Sequence, residues 1–269
     1  MPASPFSLEN KIAIVTGGGV GIGRSIAVEF ARAGADVVVA SRKLENLEPV
    51  TAEIKTLGRR SFAMAVDVRQ EDAVKELVER TVRDLGRLDI MVNNAGIALV
   101  GPIADVTPQE AERVWSINVN GVLWGIQAAV AKFKELGNRD KGKISRIINA
   151  SSIAGHEGFA MLGPYSATKF AVRALTQAAA KEHAADAITV NAYCPGVVGT
   201  DMWVEIDKRF AELTGAAEGE TFEKFSATIA LGRSETPDDV AGFVTYLAGP
   251  GADYMTGQAG LIDGGMVYR

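Results

Sequence analysis

The chain has 269 residues, 47% of them hydrophobic and 23% charged, which is ordinary globular composition with ample apolar material for a buried core. A net charge of −5 offers no cationic surface to nucleic acid or an anionic membrane; one cysteine, Cys194, forbids an internal disulfide, and two histidines, His156 and His183, make a zinc site a poor expectation, so no metal is assigned. No apolar run reaches the ~20 residues of a membrane-crossing helix, and the opening Met1-Pro2-Ala3-Ser4-Pro5-Phe6 lacks the basic and long apolar stretches of a signal peptide, so a cytoplasmic protein is expected.

In chain order, a β-branched run at 12–15 leads into Thr16-Gly17-Gly18-Gly19-Val20-Gly21-Ile22-Gly23, which opens a helical stretch at 22–33. A second strand at 37–40 ends on Ser41-Arg42-Lys43, and a third at 61–66 ends on Asp67 and Val68 before a helix at 70–85. A fourth at 90–92 ends on Asn93-Asn94-Ala95-Gly96, followed by a long helical pattern at 109–136 that carries Asn118 among apolar neighbours. The polar insert Gly137-Asn138-Arg139-Asp140-Lys141-Gly142 reads as a surface loop before a fifth strand at 144–149. Then come a helix at 166–184, a sixth strand at 188–192, a helix at 237–248 and a seventh strand at 259–262.

The strand runs are continuously apolar rather than alternating, as expected when both faces are covered. Their alternation with helices predicts an α/β, Rossmann-type, doubly wound parallel sheet of about seven strands, in a single domain spanning 1–269. The stretch 201–230 breaks the alternation: it is helical in pattern, carries Phe222 and Phe225, and is either a substrate-covering segment or an ordinary pair of packing helices.

A glycine turn between a strand and a helix lets the backbone approach a pyrophosphate at the helix N-terminus. Here the spacing is Gly17, Gly21, Gly23, with Gly19 and Ile22 between, so position rather than a G-x-G-x-x-G match carries the reading. At the end of the second strand an acidic residue would select NAD; this chain has Ser41 and Arg42, which remove a carboxylate and offer a planar donor fork to a 2′-phosphate. NADP(H) is therefore favoured, with NAD(H) possible, and Val20 stands where a further basic residue would have strengthened the preference.

Tyr165 and Lys169 lie four apart on one helix face. An isolated pair of this kind is ordinarily a surface amphipathic feature, but a lysine ammonium beside a tyrosine is expected to favour phenolate and so lower its pKa, making it a general acid/base. Ser152 lies thirteen residues before Tyr165, across a loop that can fold back, and in isolation would be a loop hydrogen-bonder. Asn118 is a buried amide that needs partners.

These residues come in one register: Thr16-Gly17-x-x-x-Gly21-x-Gly23, Asn93-Asn94-Ala95-Gly96, Asn118, Ser152, Tyr165-x-x-x-Lys169 and Pro195-Gly196-x-x-x-Thr200. Together they resemble the short-chain dehydrogenase/reductase family over nearly the whole chain from about Leu8. The resemblance implies an NAD(P)-dependent enzyme interconverting a secondary alcohol and a ketone, with Ser152, Tyr165, Lys169 and Asn118 catalytic and assembly as a homotetramer. It implies that Asp67 contacts adenine, that Asn93, Asn94, Ala95 and Gly96 shape the adenosine groove, and that Val197 and Thr200 hold the nicotinamide carboxamide. Val68, Pro195, Gly196 and Val198 complete the expected cofactor contacts, with Tyr165 and Lys169 at the reacting end. Asn191 is expected to be a structural hydrogen-bonder.

The stretches 121–129, 165–177, 191–203, 253–258 and 261–266 are similar to one branch, the acetoin/diacetyl reductases or 2,3-butanediol dehydrogenases. That branch carries an acidic residue where this chain has Ser41, so polyol dehydrogenases and 3-oxoacyl-thioester reductases of the same family stay open as alternatives. The expected substrate walls are Ile153, Phe159, Leu162, Met202 and Trp203, with Ser152 and Tyr165 at the reacting carbon; they suit a small uncharged molecule. His156 is expected on a loop surface, and Cys194 as a small buried residue.

Overall fold

The computed structural model describes residues 4–268, and within them the predicted alternation is realised. β1 (Ile12–Thr16), α1 (Gly21–Arg32), β2 (Asp36–Ser41), α2 (Leu44–Thr56), β3 (Ser61–Ala65) and α3 (Glu71–Leu85) form the first half. After β4 (Ile90–Asn93) come α4 (Pro108–Trp115), α5 (Gly121–Glu135), β5 (Ser145–Ala150), α6 (Gly163–His183) and β6 (Ile188–Pro195). α7 (Asp201–Thr214), α8 (Glu220–Ser226), α9 (Pro237–Ala248) and β7 (Ala259–Ile262) close the chain.

The seven strands form one parallel sheet in the order β3-β2-β1-β4-β5-β6-β7. Side chains alternate along each strand, so each strand feeds two cores. Ala13, Val15, Val37 and Val39 pack with α1, α2 and α9, while Ile14, Val38, Met91 and Val190 pack with α3, α5 and α6. That double coverage is why the strands read as unbroken apolar runs. The direction of winding reverses between β1 and β4, which opens a crevice beyond the carboxyl ends of the strands.

Three features depart from the pattern. The helix α2 lay outside the helical stretches read from the sequence; Pro49 sits in its interior without an amide, and Leu47, Val50 and Ile54 hold it on the core nonetheless. The long pattern at 109–136 is interrupted by a π turn over Ser116–Asn120, which carries Asn118. Such turns re-aim side chains without ending the helix. The polar insert at 137–142 is pinned by Asn138, which is buried and donates to Leu88 O at 3.2 Å and Ser145 Oγ at 2.9 Å.

Beneath the crevice Asn93 donates to Asn149 Oδ1 (2.9 Å) and Asn149 donates to Thr176 Oγ1 (3.0 Å), a buried chain linking β4, β5 and α6. Gly125 of α5 lies against it, and a Cβ there would stand 1.8 Å from Asn93 Oδ1. Gly125→Ala is therefore expected to break the chain and lower Tm by roughly 5–10 °C in a thermal melt, as a few kcal/mol does in a domain of this size.

Candidate active site

A cavity of about 630 Å3 opens at the carboxyl edge of the sheet. It is lined by every residue expected to contact the cofactor in the Gly17–Gly23 turn, at Ser41 and Arg42, at Asp67 and Val68, and at 94–96, as well as by Pro195, Gly196, Val198 and Thr200. Ser152, Ile153, Phe159, Leu162, Tyr165, Lys169, Met202 and Trp203 line it too.

The glycine turn is built around close approach. Gly17 and Gly21 have φ of 65° and 52°, which favour glycine, and a Cβ on Gly23 would stand 2.2 Å from Gly17 O. Asn94 locks this turn by donating to Thr16 O (2.9 Å) and Gly17 O (3.2 Å). Tyr193 of β6, 1% exposed, donates to Asn94 Oδ1 at 2.7 Å and so ties a third strand end to the turn. Sequence reasoning missed Tyr193; its apolar surroundings gave it the signature of a core residue. No side chain caps the start of α1 and its first turn holds no acidic residue, which leaves that helix end suited to an anion. The cradle thus fits a dinucleotide pyrophosphate.

At the end of β2 the Ser41 hydroxyl donates to Lys43 O (3.2 Å). Arg42 is exposed and makes no salt bridge among the described residues, whereas Asp67 is engaged by Arg69 at 2.5 Å. That contact holds the Asp67 carboxyl below the usual carboxylate range. Two expectations for the groove shift. Val197 is buried in the core and it is Val198 that faces the cavity; Asn93 faces Asn149 and leaves the groove to Asn94. Asn191 donates to Met255 O (2.8 Å) and accepts from Gln258 N (3.1 Å), a strand-end brace.

Ser152 and Tyr165 converge on one another. The Ser152 hydroxyl accepts from Ala154 N (3.1 Å), while Ser151 spends its hydroxyl on Lys169 O (2.9 Å) behind the site. Lys169 donates to Ala150 O at 2.9 Å, and its Nζ lies 5.5 Å from the Tyr165 ring centroid. Gly96 separates Lys169 from Asn118: a Cβ there would stand 3.5 Å from Lys169 Nζ and 3.3 Å from Asn118 Oδ1. Asn118 is 1% exposed; it accepts from Ile97 N and donates to Ile97 O, both at 2.9 Å, and donates to Thr168 Oγ1 at 3.1 Å.

The electrostatics correct one expectation. Burial pushes the Tyr165 phenol up to about 12, and the hydrogen bond with Ser152 only partly offsets it. Burial also lowers Lys169 to about 8. Desolvation of the buried phenol thus works against the phenolate that a neighbouring ammonium would favour.

On the substrate side α7 and α8 stand as one unit. Asp207 of α7 accepts from Gly219 N (2.5 Å) and Phe222 N (2.9 Å) at the start of α8. Trp203 packs on Phe225 (5.4 Å between ring centroids) and Phe222 (5.7 Å), and Phe225 packs on Phe159 (6.2 Å). Phe225, noted in the irregular stretch but not as a wall residue, also lines the cavity, as do Ile206, Ile97 and Ala98 and, at its border, exposed Arg113 and Glu205, none of which was named from the sequence. His156 is half-buried and outside the lining.

The family model described as short chain dehydrogenase matches residues 11–210. An L-2,3-butanediol dehydrogenase of Corynebacterium glutamicum is 45% identical over 264 residues, covering 97% of this chain and 100% of the relative. A diacetyl reductase [(S)-acetoin forming] of Staphylococcus epidermidis is 46% identical over 261 residues, again covering 97% and 100%. Among solved structures, a 3-ketoacyl-(acyl-carrier-protein) reductase from Brucella melitensis complexed with NADH has a TM-score of 0.85 at 35% identity, covering 97% and 99% of the two chains. A short-chain type dehydrogenase/reductase from Mycobacterium marinum has a TM-score of 0.86 at 34% identity, covering 97% of each.

Fold, site and relatives together define a nicotinamide-dependent alcohol dehydrogenase or ketone reductase. The chain belongs to the short-chain dehydrogenase family.

Proposed function

We propose that the protein interconverts a small uncharged hydroxyketone, diketone or diol (acetoin, diacetyl or 2,3-butanediol) by hydride transfer, with NADP(H) preferred. The observation that carries the substrate class is the wall of Trp203, Phe159, Phe225, Leu162 and Ile206 around the Ser152–Tyr165 pair, apolar and short of any charged clamp. The likeness to a butanediol dehydrogenase and a diacetyl reductase supports the same choice. Residues 201–230 act in this reading as the substrate-covering segment, since α7 and α8 supply Trp203, Ile206 and Phe225.

Bound in this cleft, a nicotinamide would supply or take the hydride, and its oxidised ring would add positive charge. The glycine turn and the start of α1 would hold the pyrophosphate, Asp67 and Val68 the adenine, and Arg42 the 2′-phosphate. Pro195, Gly196, Val198 and Thr200 would hold the carboxamide, and Lys169 the nicotinamide ribose. Ser152 holds the substrate oxygen and Tyr165, a phenol at neutral pH, donates its proton to that oxygen in reduction. In oxidation Tyr165, as the phenolate, takes the proton of the alcohol. Asn118 fixes the Ile97 backbone and, through Thr168, the first turn of α6, which keeps Tyr165 and Lys169 in register.

Assembly as a homotetramer in the cytoplasm completes the reading; exposed Trp115, Phe170 and Tyr268 offer apolar surface for it. Among the described residues no helix is long and apolar enough to cross a membrane.

The test is a panel of diacetyl, acetoin, 2,3-butanediol, sugar alcohols and acetoacetyl thioesters, each with both cofactors. The expected result is a kcat/KM for diacetyl or acetoin above the other compounds by about tenfold or more, the scale on which an apolar pocket discriminates. A thioester or a sugar alcohol turned over faster would overturn the assignment.

A further inference from the structure

Glu235 lies in the loop that leads into α9, remote in sequence from the Ser152–Lys169 group, yet it is only 8% exposed. Its backbone runs beside the stretch after β6: Glu235 N donates to Val197 O (2.8 Å), and Gly199 N donates to Glu235 O (2.9 Å). The side chain adds a third tie, because Gly196 N donates to Glu235 Oε2 at 3.0 Å. One residue thus holds Gly196, Val197 and Gly199, while Val198 and Thr200 between and after them face the main cavity. The other oxygen, Oε1, is buried and has no hydrogen-bond partner among the described residues.

The surroundings make this an unusual place for a carboxyl. Glu235 lines a second, separate cavity of about 170 Å3 with Asp239 of α9, Asp263 after β7, Arg233 of its own loop and apolar Ile229 and Ile262. Arg233 is committed to Asp239 (2.7 Å), and Asp263 accepts from Gly265 N (2.9 Å) and Val267 N (2.8 Å), so neither neighbour satisfies Glu235. Burial pushes the Glu235 carboxyl up to about 8; Asp239 and Asp263 act in the same direction, and the Gly196 amide opposes them. Burial therefore favours the un-ionised acid. The folded chain then holds a proton that the unfolded chain releases above about 4.5, so this group's contribution to stability is greatest at low pH and is lost as pH rises to about 8. Packing alone gives no reason for such a group, since an apolar side chain would fill the space without that loss.

We propose that the buried Glu235 carboxyl is a positioning residue, holding the 196–199 backbone in the conformation that presents Val198 and Thr200 to the nicotinamide end of the cofactor. This rests on the reading that the Pro195–Thr200 turn binds the carboxamide. It acts through that turn and touches no reacting atom.

The experiment measures dissociation constants of NADPH and NADH, and Tm, for the full-length wild type, Glu235→Gln and Glu235→Leu between about pH 6 and pH 9.5. Glu235→Gln keeps the acceptor for Gly196 N and cannot ionise, whereas Glu235→Leu removes this acceptor at similar volume and leaves Gly196 N only the longer bond to Ile262 O at 3.2 Å. The leucine variant is expected to bind the preferred cofactor about tenfold more weakly at every pH, the scale of one lost hydrogen bond at a constrained backbone. The glutamine variant is expected to match the wild-type affinity within about twofold across this range, because its amide oxygen still accepts from Gly196 N; its Tm should exceed the wild-type Tm by about 5 °C above pH 8, where an ionised Glu235 would face Asp239 and Asp263. Wild-type affinity in the leucine variant would overturn the proposal. Should that variant not fold, a glutamine variant that binds about tenfold more weakly than the wild type would overturn it equally, because glutamine keeps the acceptor for Gly196 N. A wild type that binds neither cofactor refutes the cofactor reading itself and takes this inference with it.

Discussion

Tyr165→Phe is expected to bind cofactor with near wild-type affinity and to lose turnover by about 10³-fold or more, within and beyond the range usual for a general acid/base. The ring stays in place, because Tyr165 is packed in the cluster of Leu162, Ile206, Phe210 and Trp203, and phenylalanine keeps those contacts. Only the hydroxyl is lost, and with it the hydrogen bond to Ser152 and the proton. The sign of the pH dependence follows from burial. With the phenol pushed up to about 12, Tyr165 stays protonated across the neutral range and is set up to donate in the reduction direction. Lys169, lowered to about 8, keeps its charge below that value and loses it above. Reduction is therefore expected to be flat below about pH 8 and to decline above it, while oxidation, which needs the phenolate, should climb with pH. Steady-state kcat in both directions, with a separate cofactor titration, checks this; near-normal turnover by Tyr165→Phe would refute the assignment.

The second large effect concerns the adenosine end. The double variant Ser41→Asp, Arg42→Leu is expected to reverse the cofactor preference, moving the kcat/KM ratio of NADPH over NADH by about 10²-fold to 10³-fold. Arg42 is exposed, lines the cavity and carries no salt bridge among the described residues, so its guanidinium is available to a phosphate. Losing a charge-assisted hydrogen bond costs about 1.5–3 kcal/mol. A carboxylate at position 41 adds repulsion toward a 2′-phosphate and gains hydrogen bonds to ribose hydroxyls. Asp67, the acid already lining this end, is held by Arg69 and so repels little. Comparing kcat/KM for both cofactors in both proteins decides it: a wild type that prefers NADH would remove the role given to Arg42.

Much of the site was legible because its residues occupy strand ends. In a doubly wound sheet every strand delivers its last residues to the same edge, so Gly17, Ser41, Asp67, Asn94, Ser152 and Pro195 meet without further instruction. What escaped were side chains whose importance depends on a partner distant in the chain. Tyr193 reads as core until Asn94 is seen 2.7 Å from its hydroxyl. Phe225 reads as one apolar residue in an irregular stretch until Trp203 and Phe159 are found against it. Nothing marks Glu235 until its carboxyl meets the Gly196 amide.

By itself, then, the amino-acid sequence determined the layered fold and its elements, α2 excepted, and it pointed to Ser152, Tyr165, Lys169 and Asn118 through their resemblance in register to a known family. The elements follow from local periodicity, and the spacing of Tyr165 and Lys169 is one that a helix converts directly into proximity. Only the tertiary structure decided the burial of Tyr165 and Lys169 and the shape of the apolar wall of the cavity. Desolvation, which pushes the phenol up and the ammonium down, is a property of their packed surroundings rather than of their neighbours in the chain. The wall formed by α7, α8 and the loop before α6 depends likewise on aromatic contacts and the Asp207 cap, made between segments that local pattern leaves unplaced.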